Sequence, residues 1–134
     1  MQLLKLVYIA HGWTLGLYGR PLIRDDIQAW QYGPVIPALY SAISKFRSNP
    51  VQGPLPLRDQ TPLDLQANSV IEQVYNIYGK MSGPALSRLT HATGSPWESI
   101  YSAGRFGAVI PNDIIEDHYA RLADSQSDDA PRRP

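Results

Sequence analysis

The sequence predicts a mainly α-helical fold (α+β), a compact bundle of about five to six helices with a small β-hairpin near residues 21–32. Three observations support this prediction. Apolar residues recur at three- and four-residue steps along several segments of helical length. One short segment, residues 27–32, alternates between two sets of side chains instead, as a strand does. Prolines and glycines, 12 and 10 in number, stand between these segments, where helices begin or end.

The first helix is predicted over residues 2–18. Gly12 and Gly16 lie four residues apart, so a second element could approach the helix closely there. Gly19 is placed to cap the C-terminus. The predicted inner face of the helix consists of Leu4, Val7, Tyr8, His11, Leu15 and Tyr18.

Two short extended segments follow, residues 21–23 and 27–32, and we expect them to pair with each other through a short polar turn. A second helix should then run to about residue 46. Either Pro34 or Pro37 could open it, because the first helical position needs no amide hydrogen.

Residues 48–66 are rich in proline and lack helical periodicity, which predicts a long loop. Ser69 is followed three residues later by Glu72, a capping box that predicts the start of a helix at Ser69. That helix should end at Gly79.

Two short helices are predicted next. The first starts at Ser82 and should run out at residues 93–94, and the second starts with the capping box Ser95–Glu98. A turn over residues 104–107 and a last helix over residues 112–123 complete the pattern.

Composition gives the domain organisation and excludes several classes of function. Residues 1–123 fit a single domain, and the polar residues 124–134 predict a disordered tail. The 12 basic and 12 acidic residues cancel, which disfavours nucleic acid as a partner, and the clustered Arg132 and Arg133 lie on the tail. The chain has no cysteine, so disulfides, zinc-thiolate sites and cysteine nucleophiles are excluded. No apolar run is long enough to span a membrane and no secretory signal is evident, so we expect a cytoplasmic protein without a membrane partner.

No catalytic or metal-binding constellation emerges around the three histidines. His11 lies on the apolar face of the first helix, where a core histidine with hydrogen-bond partners is the better interpretation. His91 lies near a helix C-terminus, where a histidine is favoured electrostatically without any function. His118 is expected to face solvent beside acidic residues. We therefore predict a non-enzymatic protein without cofactor or metal.

The aromatic residues allow two interpretations. Trp13, Trp30 and Trp97, together with eight tyrosines, are many for a chain with only two phenylalanines. They could pack the core, or they could form a protein-binding face, since Trp and Tyr are enriched at interface hot spots.

Three segments, taken in order, carry a family resemblance: residues 4–13 (LKLVYIAHGW), residues 29–35 (AWQYGPV), and Leu89-Thr90-His91 followed by Pro96-Trp97. Together they resemble the Panacea domain (SocA-like, DUF4065), over roughly residues 2 to 123. This family occurs in bacterial and phage genomes and is known for antitoxins of toxin–antitoxin systems. Its domain is mainly helical with a small β element. Its members often have glutamine at the position of His11, and they usually carry another helix upstream, so we expect an upstream segment.

The resemblance implies a function in protein binding. We expect an antitoxin that neutralises a cognate protein toxin by direct contact, either by steric blocking or by delivering the toxin to an AAA+ protease. The alternative is a non-enzymatic accessory protein of a phage or mobile element that binds a host factor. The candidate partner-binding residues are the family-signature positions Trp30, Tyr32, Gly33, Pro34, Thr90, His91, Pro96 and Trp97.

Overall fold

The computed structural model describes residues 2–44, 64–101 and 107–125. Within these ranges the chain is mainly helical with one small antiparallel hairpin, which confirms the predicted fold class. The predictions for residues 45–63, 102–106 and 126–134, among them most of the long loop and the tail, lie outside the described residues. The elements are α1 (Gln2–Tyr18), β1 (Gln28–Trp30), β2 (Gly33–Val35), α2 (Pro37–Ile43), α3 (Leu65–Tyr78), α4 (Gly83–Thr90), α5 (Pro96–Tyr101) and α6 (Asn112–Asp124).

Helix α1 is the central element of the described fold. It packs against α3, α4, α6 and β2. The prediction of a single inner face is wrong, because residues on nearly every side of α1, including Lys5, Trp13 and Thr14, are buried. A helix that is covered from several directions loses the one-sided pattern of a surface helix. In the part of the chain that the structure describes, no helix has both the length and the apolar character needed to cross a membrane.

The two glycines of α1 accept helix α6, as their spacing predicted. A Cβ atom added at Gly12 would lie 2.3 Å from the ring of Tyr119, and one added at Gly16 would lie 2.7 Å from the Tyr119 backbone. Tyr119 packs edge-on against Trp13, with 5.1 Å between ring centroids. The absence of side chains at the two glycines therefore lets α6 lie directly on α1.

The hairpin uses different strands from those predicted. Strand β1 pairs with β2, and Gln28, Ala29 and Trp30 lie opposite Val35, Pro34 and Gly33. Residues 21–23 form no strand, because the amides of Leu22 and Ile23 donate to the His11 ring instead of to a neighbouring strand.

The outer edge of β1 is also occupied. Ala29 accepts a hydrogen bond from the amide of Gly107 and donates to the carbonyl of Ala108, and Gln28 forms an isolated bridge with Val109. Because Ala29 directs its backbone groups away from β2, the opposing Pro34 can lack an amide hydrogen without loss. Pro34 therefore belongs to β2, and Pro37 opens α2.

Helix α3 begins at Leu65, four residues before the predicted start. The N-cap is Asp64, whose carboxylate accepts from the amide of Ala67 at 2.8 Å and pairs with Arg20 at 2.6 Å. Ser69 lies inside the helix and accepts from Gln73 one turn later, so the predicted capping box is wrong. Aspartate caps helices as well as serine does, and a partner 44 positions away in sequence gives no local signal.

The caps of the next two helices are confirmed. The Ser82 hydroxyl accepts from the amide of Ala85 at 3.2 Å, and the Ser95 hydroxyl accepts from the amide of Glu98 at 3.3 Å. Helix α4 ends at Thr90, which is earlier than predicted, and His91 is its C-cap.

Candidate functional site

The structure brings the eight predicted site residues together where the hairpin meets α4 and α5. The indole Nε1–H of Trp97 donates to the carbonyl of Trp30 at 2.5 Å. Gly33 lies against Thr90 and His91, since a Cβ atom at Gly33 would be 3.4 Å from Thr90 Oγ1 and 3.6 Å from His91 Cβ. We call this region the corner; it comprises residues 28–35 together with Thr90, His91, Pro96 and Trp97.

The carbonyl groups of every second residue from 30 to 34 accept hydrogen bonds from side chains of three different helices. The carbonyl of Trp30 accepts from Trp97 on α5, as described above. The carbonyl of Tyr32 accepts from the Ser87 hydroxyl on α4 at 2.5 Å. The carbonyl of Pro34 accepts from Lys5 Nζ on α1 at 2.8 Å. The hairpin is short, and a short hairpin alone is marginal in water, so these bonds fix its position on the helices.

Within the corner, Gly33 is a position where only glycine fits without strain. Its φ angle is +121°, a conformation that residues with a Cβ atom rarely adopt. A Cβ atom there would also lie 3.1 Å from Lys5 Nζ. The backbone of the corner can therefore lie directly over the Lys5 amine because residue 33 has no side chain.

The eight residues differ in their access to solvent. Gly33, Pro34, Thr90 and Pro96 are buried, whereas Trp30, His91 and Trp97 are partly accessible. Tyr32, at the turn of the hairpin, is 64% exposed. The corner thus has a buried support and an aromatic outer surface.

The aromatic surface extends beyond the predicted residues. The rings of His91 and Trp97 meet edge-on at 5.3 Å, and Trp97 stacks on Tyr101 at 4.7 Å. Trp30 meets Tyr40 of α2 edge-on at 5.2 Å. Contacts of these geometries stabilise aromatic pairs beyond the area that they bury.

Comparison with known proteins identifies the family. A model of the family described as "Antitoxin SocA-like, Panacea domain" matches residues 3–98, which include all eight site residues. The chain belongs to this family. It is 35% identical to Antitoxin SocA of Caulobacter vibrioides (strain NA1000 / CB15N) over 132 residues, which cover 89% of this chain and 70% of that protein. No solved structure matches the chain.

Lys5 and Ser87 support the corner from α1 and α4, and the sequence prediction missed both. Lys5 is 1% exposed, and burial lowers the pKa of its amine to about 8. The available signal was a charged residue within the apolar run of the first helix. Ser87 offered no signal, because serine inside a short helix is unremarkable and its partner Tyr32 lies 55 positions away.

His11 is a core histidine with partners on both ring nitrogens, as predicted. Its Nδ1 accepts from the amides of Leu22 at 3.2 Å and Ile23 at 3.3 Å, so the proton lies on Nε2, which contacts Asn112 Oδ1 at 3.0 Å. Burial lowers the pKa of His11, although the hydrogen bond to Asn112 opposes this shift. In the Panacea domain described here, His11 joins α1, the segment after it and the start of α6.

His118 is less exposed than predicted. It is half-buried, and its ring meets that of Tyr119 edge-on at 5.0 Å. Burial lowers the pKa of His118, and the nearby charge of Arg121 lowers it further. Nothing in the sequence indicated this partial burial, because α5 and the segment before it pack beside this part of α6, where Ser95, Ser99 and His118 line one pocket.

One serine and one histidine approach each other at the corner. Ser87 Oγ lies 3.4 Å from His91 Nδ1. The same hydroxyl donates to the carbonyl of Tyr32 at 2.5 Å, so its proton is directed to the backbone and not to His91. A nucleophile requires its proton to be transferred to the base. The Ser87 hydroxyl therefore holds the hairpin in place and is not activated by His91 in this arrangement.

Proposed function

We propose that this protein is an antitoxin that neutralises a cognate protein toxin by direct contact through the corner. Membership of the antitoxin family supports the class of function. The observation that supports the location is the exposed Tyr32, presented at the turn of a hairpin whose carbonyl groups are held by three helices. A rigid aromatic side chain contributes large contact area at low entropic cost.

The eight site residues divide into two roles in this proposal. Trp30, Tyr32, His91 and Trp97 contact the toxin, since they are at least partly accessible. The other four are buried and support the first group. Because the supporting residues already hold the contact residues in place, binding loses less conformational entropy. The support consists of Gly33, Pro34, Thr90 and Pro96.

Two mechanisms of neutralisation are compatible with such a contact. The antitoxin either covers the functional surface of the toxin or delivers the bound toxin to an AAA+ protease. The two mechanisms differ in toxin level, because delivery lowers the amount of toxin in the cell and covering leaves it unchanged. Measuring toxin abundance with and without the antitoxin separates them.

A pair of tyrosine variants tests the proposed surface. Tyr32 and Tyr75 are exposed to similar extents, 64% and 68%, but Tyr75 lies on α3, outside the corner. We expect Tyr32→Ala to weaken binding to the purified product of the adjacent gene by about tenfold or more, as hot-spot truncations do. Tyr75→Ala should bind like the wild type. Titration calorimetry measures both affinities, and growth rescue on co-expression provides the cellular readout.

Three results would contradict the proposal. If both tyrosine variants lost affinity equally, or if neither lost affinity, the contact would lie elsewhere on the protein. Absence of any complex and of growth rescue with the wild type would reject the antitoxin function itself. The accessory-protein alternative would be favoured if the neighbouring genes encoded phage tail or lysogeny proteins and no toxin, and if the protein captured a host protein.

A further inference from the structure

The amine of Lys5 is an unusual group to find in the core of this fold. Lys5 is 1% exposed, and its Nζ donates to the carbonyl of Pro34 at 2.8 Å. It forms no salt bridge with any residue in the described ranges. Burying an ammonium group without a carboxylate is costly, and an apolar side chain of similar length often gives an equally or more stable protein.

We propose that Lys5 is a positioning residue of the partner-binding surface. By holding the Pro34 carbonyl, it fixes the conformation in which the hairpin presents Trp30 and Tyr32. The inference rests on the function proposed above, because it assigns Lys5 a role in that same surface.

The geometry connects the amine to the surface in two short steps. Lys5 Nζ lies beneath Gly33, where a Cβ atom would be 3.1 Å from it, and it binds the carbonyl of the next residue. Gly33 lies opposite Trp30 in the hairpin and directly follows Tyr32. Ser87 and Trp97 hold the carbonyls of Tyr32 and Trp30, but β2 itself is held by Lys5. Loss of the amine should therefore free β2 while leaving the other two bonds in place.

The variant Lys5→Met separates positioning from simple stabilisation. Methionine is unbranched and only one atom shorter than lysine, and it removes both the charge and the donor. We expect a melting temperature equal to or above that of the wild type, because the buried charge is gone. Amide hydrogen exchange at residues 31–33 and 35 should become about tenfold faster, since a local opening no longer breaks the bond to Lys5. Affinity for the purified product of the adjacent gene should fall by about tenfold, because the surface is less preorganised.

Thr14→Val is the matched control. Thr14 is also a buried polar residue of α1, 1% exposed, but its hydroxyl donates within the helix to Ala10 and does not reach the corner. This variant should leave exchange at residues 31–33 and 35 and the affinity unchanged. If Lys5→Met behaves like Thr14→Val, or if its affinity falls only in proportion to a lower melting temperature, Lys5 has no positioning role.

The wild-type protein offers a second measurement that requires no substitution. The carbon-13 resonance of the Pro34 carbonyl should titrate together with the side-chain signals of Lys5 as the amine deprotonates. His91, the other titratable group against Gly33, is followed separately through its ring resonances. A Pro34 resonance that ignores Lys5 would overturn the inference even if Lys5→Met failed to fold. A wild type that binds no product of the adjacent gene would reject the proposed function, while hydrogen exchange and this titration would still test Lys5.

Discussion

His11 shows how one buried polar residue can organise distant parts of the chain. The sequence was sufficient to predict a paired core histidine, because buried polar groups are normally hydrogen-bonded. It could not predict the partners, since Asn112 lies 101 positions away and the amides of Leu22 and Ile23 were assigned to a strand. The same limit applied to Lys5, whose burial depends on a carbonyl 29 positions away. Residue type predicts that a partner exists, and only the fold determines which partner it is.

The lowered pKa of His11 predicts a loss of stability in mild acid. Burial lowers the pKa of His11 below the value of 6.5 expected for the unfolded chain. As the pH falls through 6.5, the unfolded state takes up the proton first, so the free energy of unfolding decreases toward the lower pKa of the folded state. Thermal unfolding followed by circular dichroism between about pH 7.5 and pH 5.5 should show this decrease.

The variant His11→Gln should fold and show a weaker dependence on pH. The glutamine oxygen can accept from the backbone, and its amide can donate to Asn112, so both roles of the imidazole are kept without a titrating group. His118→Gln is the comparison, because the pKa of His118 is also lowered but its side chain is only half-buried. An unchanged pH dependence in His11→Gln would show that other groups cause the acid destabilisation.

At the scale of elements, local signals predicted two helix caps correctly and one, the capping box at Ser69, wrongly. The caps Ser82 and Ser95 were predicted because a capping side chain bonds to an amide three residues away. The start of α3 was missed, because the capping Asp64 is held in part by Arg20, which lies 44 positions away in sequence. The hairpin was predicted in kind but not in pairing, since register depends on what covers each strand.

The contact between α1 and α6 predicts that Gly12→Ala destabilises the protein. Alanine favours helix over glycine by about 1 kcal/mol, but the added Cβ atom would lie 2.3 Å from the Tyr119 ring. Tyr119 is buried against Trp13 and cannot move aside cheaply. Overpacking of this kind costs about 1–3 kcal/mol, so we expect a net decrease in the free energy of urea unfolding.

A double-mutant cycle with Tyr119→Leu identifies the cause of that decrease. Leucine at position 119 removes the ring that the Cβ atom of Gly12→Ala would contact. Gly12→Ala should therefore lower the free energy of unfolding less in the Tyr119→Leu background than in the wild type. Additive effects of the two substitutions would show that the close approach at Gly12 does not limit stability.

At the scale of the whole molecule, the corner is part of the core and not an appendage. The hairpin is bound by Trp97, Ser87 and Lys5. These residues are separated in sequence from the carbonyl groups that they bind by 67, 55 and 29 positions, respectively. The resemblance to a family was enough to name the eight site residues. Their division into buried support and exposed surface required the packing of three helices around the hairpin, which no local pattern encodes.

This architecture predicts that the corner and the helical core unfold together. The chain contains three tryptophans, of which Trp13 is buried in the core and Trp30 and Trp97 lie in the corner. In the variant Trp13→Phe, fluorescence excited selectively at tryptophan therefore reports on the corner alone, while far-UV circular dichroism reports mainly on the helices. Because three side-chain bonds tie the hairpin to α1, α4 and α5, the two signals should give the same midpoint and slope in urea. Adding Ser87→Ala should lower that shared midpoint, since loss of the bond to Tyr32 costs about 1 kcal/mol, and it should leave the slope unchanged. A fluorescence transition that precedes the loss of helical signal in Trp13→Phe would show that the corner opens independently of the core.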